Sequence, residues 1–378
     1  MPRQIRILHV LHSLSAGGLE NGVVNIVNRS PGHLVHELCL LSGGGEFLQR
    51  FAHPVVRHEM NKKPGNSVRL ILRLRNLFRK CEPDIIHTRN WAAFDAVLAA
   101  CLSFRPALIH GEHGRDISDP DGSVYRRNLA RRLFAIRAQK YIAVSRNLYT
   151  WLKQTVGVPE RKLALIPNGV DTERFCKGED PGLRAQLGID RDEFVVGTVG
   201  RLDPIKNHAG LVNAVARLHS TGRKVRLLMV GEGPNRVSIE SALQAASLDP
   251  PPLLVGYRAD VNRLYRVFDV FVLNSFAEGM SNTLLEAMSS GVPVVCAAVG
   301  GNVDLVADCQ RGLLIEPGDD GALAEALARY MDAPVLRAVH SQRARQFIVD
   351  NHALDRMIDR YVNLYESVVQ ARQCVTFS

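Results

Sequence analysis

The sequence predicts two α/β domains, each built on a parallel sheet with helices on both faces. Three observations lead there. Short apolar runs alternate with helix-length segments in both halves of the chain, and strands that alternate with helices build parallel sheets. The length of 378 residues exceeds what one hydrophobic core usually organises. Glycine-bearing turns directly follow several of the apolar runs, at the strand ends where open α/β sheets bind ligands.

In the first half the strand-like runs are residues 5–11, 35–41, 84–87, 107–110, 140–144 and 163–166. In the second half they are 194–199, 225–230, 253–255, 269–273, 292–296 and 313–315. Two such series predict two Rossmann-like domains. Their join falls near 169–182, where Asn168-Gly169 and Pro181-Gly182 flank a polar stretch. After Asp320 the chain turns mainly helical, ending in a helix at about 354–371. No low-complexity segment, heptad series or short repeat interrupts this plan.

Composition narrows the classes. Hydrophobic residues make up 46% and charged residues 22%, as in an ordinary soluble enzyme. No apolar run approaches the roughly 20 residues that span a bilayer. The N-terminus superficially mimics a signal peptide, but His9 and His12 interrupt its apolar stretch, which alternates as a strand does. The seven cysteines are odd in number, scattered and without C-x-x-C spacing, so free thiols in a reducing cytoplasm are expected. The net charge of +9 is concentrated: residues 60–140 hold 16 Lys and Arg against 7 Asp and Glu. A basic face attracts nucleic acid, an anionic membrane or a phosphorylated substrate, and composition does not choose among them.

Four constellations carry chemistry. Glu278 and Glu286 bracket a turn that follows an apolar run and passes Gly279, Met280, Ser281 and Asn282 into a helix. Free N–H groups at such a helix start can face a phosphate, and a carboxylate on either side can hold a polyol. Gly200-Arg201 and Lys206 leave a strand end together, as a fork and a point charge gripping a diphosphate would; a solvated basic turn is the plain alternative. Gly17 and Gly18, with Glu20 behind them, open a helix after the first strand and permit close backbone approach, although a tight turn also explains them. His113 follows a strand end in Gly111-Glu-His-Gly-Arg-Asp116, where it either contacts substrate or bonds backbone. His110 and His113 lack further ligands at zinc spacing.

Other motifs weigh less. The pairs Asp119/Asp121 and Asp190/Asp192 read as a turn and a helix-to-strand connection, not as metal sites. Residues 67–80 and 123–140 form basic amphipathic helices, which suit both packing on a sheet and lying on an anionic membrane. Tyr257 and Arg258 follow the run 253–255, within reach of a nucleotide base.

Together these segments resemble the retaining glycosyltransferases of family 4, which have the two-domain GT-B fold, and the resemblance runs over essentially the whole chain. Its most specific parts are the Glu278–Glu286 element, Gly200-Arg201 with Lys206, and the double glycine before Glu20; Asn168-Gly-Val-Asp171 is similar to the family's domain join. The stretch from Glu112 to Asp116 is similar to members associated with bacterial exopolysaccharide synthesis. The resemblance implies an acceptor-side domain over residues 1–170, a nucleotide-sugar domain over 171–354, and a last helix at about 355–378 crossing back to the first. It implies a nucleotide-sugar donor, UDP- or GDP-linked, in the interdomain cleft, and a glycan or lipid-linked acceptor. By the same resemblance Arg201 and Lys206 neutralise the diphosphate, Glu286 holds the ribose and Glu278 the transferred sugar. Gly279, Met280, Ser281 and Asn282 assist on sugar and phosphate, Gly17 and Gly18 approach the phosphates, and His113 sits near the sugar.

No cofactor and no metal are expected, because no carboxylate pair is placed to hold Mg2+ against a diphosphate. The expected location is cytoplasmic, with the basic stretch 60–140 available to an anionic membrane on its inner face. The rivals are a nucleotide-sugar epimerase of the same architecture and, without zinc-finger or RNA-binding spacing to support it, a nucleic-acid-binding module.

Overall fold

The computed structural model describes residues 3–376 except 16, 64, 66, 104, 105, 116–118 and 120. The chain forms two compact units, Met1–Asn168 with Asp355–Ser378, and Gly169–Leu354. The first carries strands β1 (Ile5–Leu11), β2 (Leu34–Leu40), β3 (Val56–Glu59), β4 (Ile85–Arg89), β5 (Ala107–Glu112), β6 (Lys140–Ala143) and β7 (Leu163–Leu165). Between them lie α1 (Gly18–Arg29), α2 (Val68–Cys81), α3 (Phe94–Cys101), α4 (Tyr125–Arg137) and α5 (Arg146–Trp151).

These strands form one parallel sheet in the order β3-β2-β1-β4-β5-β6-β7. Strands buried on both faces read as near-continuous apolar runs, which is why most were legible in the sequence. The strand the sequence did not suggest is β3, a short edge strand that is mostly exposed and reads Val-Arg-His-Glu. Short, charged edges resist pairing with other chains, and they lack the apolar signal for the same reason.

The second unit holds α6 (Pro181–Gln186), β8 (Phe194–Val199), α7 (His208–Ser220), β9 (Val225–Val230), α8 (Arg236–Ala246) and β10 (Leu253–Leu254). There follow α9 (Val261–Leu264), β11 (Val270–Leu273), α10 (Asn282–Ser289), β12 (Val294–Ala297), α11 (Asn302–Val306), β13 (Leu313–Ile315), α12 (Asp320–Asp332) and α13 (Pro334–His352). Its parallel sheet runs β10-β9-β8-β11-β12-β13. In each unit the strand order reverses once, between β1 and β4 and between β8 and β11. Successive connections part to opposite faces there, leaving a crevice at the carboxyl ends of the strands.

The last helix, α14 (Leu354–Thr376), belongs from Asp355 onward to the first unit. Tyr365 hydrogen-bonds His87 at 2.8 Å, and Asp355 and Glu366 pair with Arg29 and His33 at 2.9 and 2.8 Å. The two chain crossings run side by side: Val170 N–H donates to the His352 carbonyl and Leu354 N–H to that of Val170, both at 2.9 Å. Among the described residues no helix is long and apolar enough to cross a membrane.

Packing beneath the second crevice is tight at Gly197 in β8, where an added Cβ would lie 2.3 Å from the Phe268 ring. Overfilling a packed core costs about 1–3 kcal/mol. Gly197→Ala is therefore expected to lower the urea midpoint of unfolding by that equivalent; an unchanged midpoint would show that Phe268 can move aside.

Candidate functional site

In the second unit the loops after β8, β9, β11 and β12 meet at one end of the sheet. Gly200 N–H donates to Val230 and Leu202 N–H to Glu232, at 3.0 and 2.9 Å. A Cβ on Gly231 would lie 1.9 Å from the Gly200 carbonyl oxygen, and one on Gly233 2.4 Å from that of Leu202. Gly300, at φ +51°, lies so close that its Cβ would be 1.8 Å from the Glu278 carbonyl oxygen. Gly301 N–H donates to the Gly279 carbonyl at 3.0 Å. Only glycine fits these approaches. Gly233 and Gly300 carry no sequence signal of this role, whereas Gly231 does, since it follows a strand end just as Gly200 does.

Lys206 ends a short 3-10 turn, Pro204–Lys206, capped by Asp203, whose side chain accepts from Ile205 N–H at 3.3 Å. Phe276 N–H donates to the Ile205 carbonyl at 2.8 Å, tying this turn to the loop after β11. The tie brings residues 72 apart in sequence into contact. Lys206 Nζ stands 2.6 Å from Glu278 Oε1, which also accepts from Ser275 Oγ at 2.7 Å. Both members of the pair are mostly shielded, at 23% and 10% exposure. Arg201 is 59% exposed and pairs with Asp203 at 2.7 Å. Each cation thus has a carboxylate of its own.

Ser281 starts α10, its hydroxyl accepting from Leu284 N–H at 3.3 Å, the usual satisfaction of a first-turn donor. Glu286 lies about one turn further on. The hydroxyl of buried Tyr265 is 3.0 Å from Glu286 Oε2 and 3.1 Å from the Thr283 carbonyl. Burial, and then the Glu286 charge, push this phenol well above its ordinary pKa, so it remains a donor that orients the carboxylate. Met280 is buried, and Gly279 and Asn282 are half-buried. Arg258 is held by Asp260 at 2.8 and 2.7 Å, while Tyr257 is exposed.

The first unit places its candidates around the other reversal. Gly17 caps α1, and a Cβ there would meet the Glu20 carboxylate at 2.2 Å; Gly18 is the first helical residue. His113 follows β5, its N–H bonded to Asn90 Oδ1 at 2.7 Å. Asn90 holds a positive φ of 53° and donates its own N–H to the Gly111 carbonyl at 2.8 Å, joining the ends of β4 and β5. His110 is engaged at both nitrogens, with Thr88 at 2.8 Å and Glu112 at 3.5 Å, as a structural histidine is. Asp116 and Pro120 lie outside the described residues.

Arg89, at the end of β4, is buried, yet histidines surround it. Its guanidinium donates to His9 Nδ1 and His87 Nδ1, both at 3.1 Å. An imidazole that accepts from arginine must be neutral, with its proton on the other nitrogen. His9 passes that proton toward His36 at 2.8 Å. Burial first and the Arg89 charge second drive all of these imidazoles down, His36 to about 4, His113 to about 3, and His9 and His87 far below their usual value. His87 Nε2, His113 Nε2 and Arg89 Nε have no hydrogen-bond partner among the described residues. A Cβ on Gly111 would lie 3.5 and 3.0 Å from the first two, so both imidazoles cover that glycine.

The basic stretch is only partly a surface. Arg131, on α4, is buried against Glu112 at 2.7 Å and stacks on Trp91 and Trp151, each 5.0 Å away. Arg137 bonds the carbonyls of Ser103 and Pro106 at 3.0 and 2.9 Å. Arg126 and Arg132 are exposed.

Comparison with known proteins agrees with this architecture. Residues 16–174 match the model Glycosyltransferase Family 4, and residues 180–347 match Glycosyl transferases group 1. A UDP-Gal:alpha-D-GlcNAc-diphosphoundecaprenol alpha-1,3-galactosyltransferase of Escherichia coli is 29% identical, over 80% of each chain. The putative glycosyltransferase EpsF of Bacillus subtilis is 27% identical, over 93% of this chain and 92% of its own. The crystal structure of Anabaena HepE with UDP and glucose superposes with a TM-score of 0.83 at 22% identity, covering 96% of this chain and all of that one. The fold is GT-B.

The neutral histidines make stability depend on pH. A histidine whose folded pKa lies below its unfolded value contributes stability in full above the unfolded pKa, and loses it as pH falls from there toward the folded pKa. The unfolding free energy is therefore expected to fall between about pH 6.5 and pH 4, with His36→Gln reducing the slope. Equal stability across that window, measured by urea titration, would mean that these imidazoles are not buried neutral.

Proposed function

We propose that this chain, which belongs to the family 4 glycosyltransferases, moves a sugar from a UDP- or GDP-sugar to a glycan or lipid-linked acceptor, with retention of anomeric configuration. Its place is the synthesis of an exopolysaccharide or related cell-surface glycan. The observation that carries this reading is the Lys206–Glu278 pair, set where the strand order reverses and flanked by Arg201 and the start of α10.

The pair suggests how the donor is received. Before the donor binds, Glu278 holds Lys206 in position, and Asp203 holds Arg201. When the diphosphate takes the two cations, the Glu278 oxygens are released to the hydroxyls of the transferred sugar, with Ser275 still steadying them. Glu286, oriented by Tyr265, takes the ribose hydroxyls. On the first unit, His113 is a neutral imidazole, and Gly17 and Gly18 leave the backbone unhindered, at that unit's own sheet reversal. As the glycosidic bond breaks, charge grows on the leaving phosphate, and cations already in place stabilise that transition state more than the bound donor. These groups supply the stabilisation without a metal. Departure and attack on one face of the sugar give retention.

A membrane-bound acceptor suits the outer faces of α2 and α4. On α4, Tyr125, Leu129, Leu133 and Ile136 are exposed beside Arg126 and Arg132; on α2, Val68 and Leu72 are exposed beside Arg69 and Arg73. Exposed apolar residues among arginines favour an anionic lipid surface.

Lys206→Ala and Arg201→Ala are each expected to lower turnover at least about 100-fold, assayed in EDTA with the product's anomeric configuration read by NMR. Near-normal turnover in both variants would remove the diphosphate assignment. The protein is also expected to co-sediment with anionic liposomes at low salt and to be released by high salt; failure to co-sediment would remove the membrane assignment.

A further inference from the structure

We infer that Glu37, His58 and Cys81, at the outer edge of the first unit's sheet, form a binding site for a divalent transition metal, with Zn2+ the best match. This goes beyond sugar transfer and does not rest on it. Glu37 lies on β2, His58 on the neighbouring edge strand β3, and Cys81 is the last residue of α2. The sequence gives no hint of them as a set, because they stand 21 and 23 positions apart and only the strand pairing gathers them.

The geometry is close to that of a coordinated ion. His58 Nε2 is 3.0 Å from Glu37 Oε2 and 3.4 Å from Cys81 Sγ, and the three donor atoms all lie within 4.8 Å of one another. Tetrahedral ligands at about 2.0 Å for N and O and about 2.3 Å for S stand roughly 3.3–3.6 Å apart. The two edges at His58 already stand within a few tenths of an ångström of those values, and the third, from Glu37 to Cys81, lies within 4.8 Å, so closing that edge is the movement that admits the ion. The other carboxylate oxygen of Glu37 accepts from Arg6 at 2.7 Å, which fixes the orientation of the carboxylate from behind, as supporting partners of metal ligands do. The His58 side chain is 24% exposed, so the triad is reached from solvent, the source of a fourth ligand.

The donor set chooses the metal. Sulfur, imidazole nitrogen and one carboxylate oxygen suit Zn2+ and Co2+, whereas Mg2+ and Ca2+ need oxygen ligands. Without metal, burial, followed by the Glu37 charge, raises the Cys81 pKa, so the residue is a thiol. Binding forms the metal–sulfur bond and expels that proton to solvent. His58 binds through Nε2, and any proton on that nitrogen leaves it as the metal–nitrogen bond forms. The thiolate and the carboxylate then cancel the dication's charge. The ion would fasten the exposed edge strand β3 to β2 and α2. The cations assigned to the donor lie in the second unit, so transfer without a metal and zinc binding at this edge are compatible.

The test is a Co2+ titration of the full chain after chelator treatment and removal of the chelator. A near-ultraviolet thiolate-to-cobalt charge-transfer band should saturate at one Co2+ per chain and disappear on adding Zn2+, and Zn2+ should raise the thermal unfolding midpoint. Cys81→Ala should abolish the band and His58→Gln should weaken binding at least about tenfold. Cys309→Ala, which removes an exposed thiol, should change neither. Folding of each variant is checked by its unfolding transition in EDTA; if Cys81→Ala does not fold, His58→Gln, with its partly exposed side chain, decides. Absence of the band in the wild type, or a band and affinity unchanged in the folded variants, would overturn the proposal and leave only a hydrogen-bonded triad.

Discussion

Close backbone approach at the carboxyl end of the second sheet is the constraint on which the candidate site depends. Four loops meet there, and the added Cβ distances at Gly231, Gly233 and Gly300, between 1.8 and 2.4 Å, leave no volume for a side chain. With those glycines in place, the turn carrying Lys206 hydrogen-bonds to the loop carrying Glu278, and the pair forms across 72 residues of sequence. A lysine on a flexible stem spends most of its freedom in water. Here the carboxylate, itself steadied by the Ser275 hydroxyl, and the enclosing loops restrict it, so on the proposed reading part of the ordering cost precedes ligand binding.

The first unit solves a different electrostatic problem. Burying a guanidinium is costly unless its donors are satisfied, and Arg89 satisfies two of them with imidazole nitrogens. The solution works only while those rings stay neutral, and the Arg89 charge itself helps keep them so. The same arrangement leaves His113 as a neutral imidazole at the strand end, able to accept or donate a hydrogen bond but not to carry charge near neutral pH. The net positive charge of this half of the chain accordingly mixes two populations. Arg89 and Arg131 are internal, while Arg126, Arg132 and the outer residues of α2 face solvent.

Most of the fold was legible because buried parallel strands are written as apolar runs: Ile5–Leu11, Phe194–Val199 and Val225–Val230 stand where the sequence places them. Strand β3 was not, because an edge strand carries polar residues for its own protection. The candidate residues Arg201, Lys206, Glu278 and Glu286 could be named from their places at strand and helix ends. Their pairing could not, since it depends on which strands become neighbours. Tyr265 left no signal, as one aromatic among many in an apolar segment. Gly231 did leave one, a glycine immediately after a strand.

The central claim is that the Lys206–Glu278 pair is the preformed grip for a nucleotide diphosphate. Calorimetric titration of the wild type and Lys206→Ala with UDP and with GDP tests it without reference to acceptor or sugar. The account predicts that one of the two nucleotides binds the wild type, and that the substitution weakens that binding at least about tenfold, as loss of a charge-assisted hydrogen bond implies. Equal affinity in the two proteins, or no binding of either nucleotide to the wild type, would contradict it.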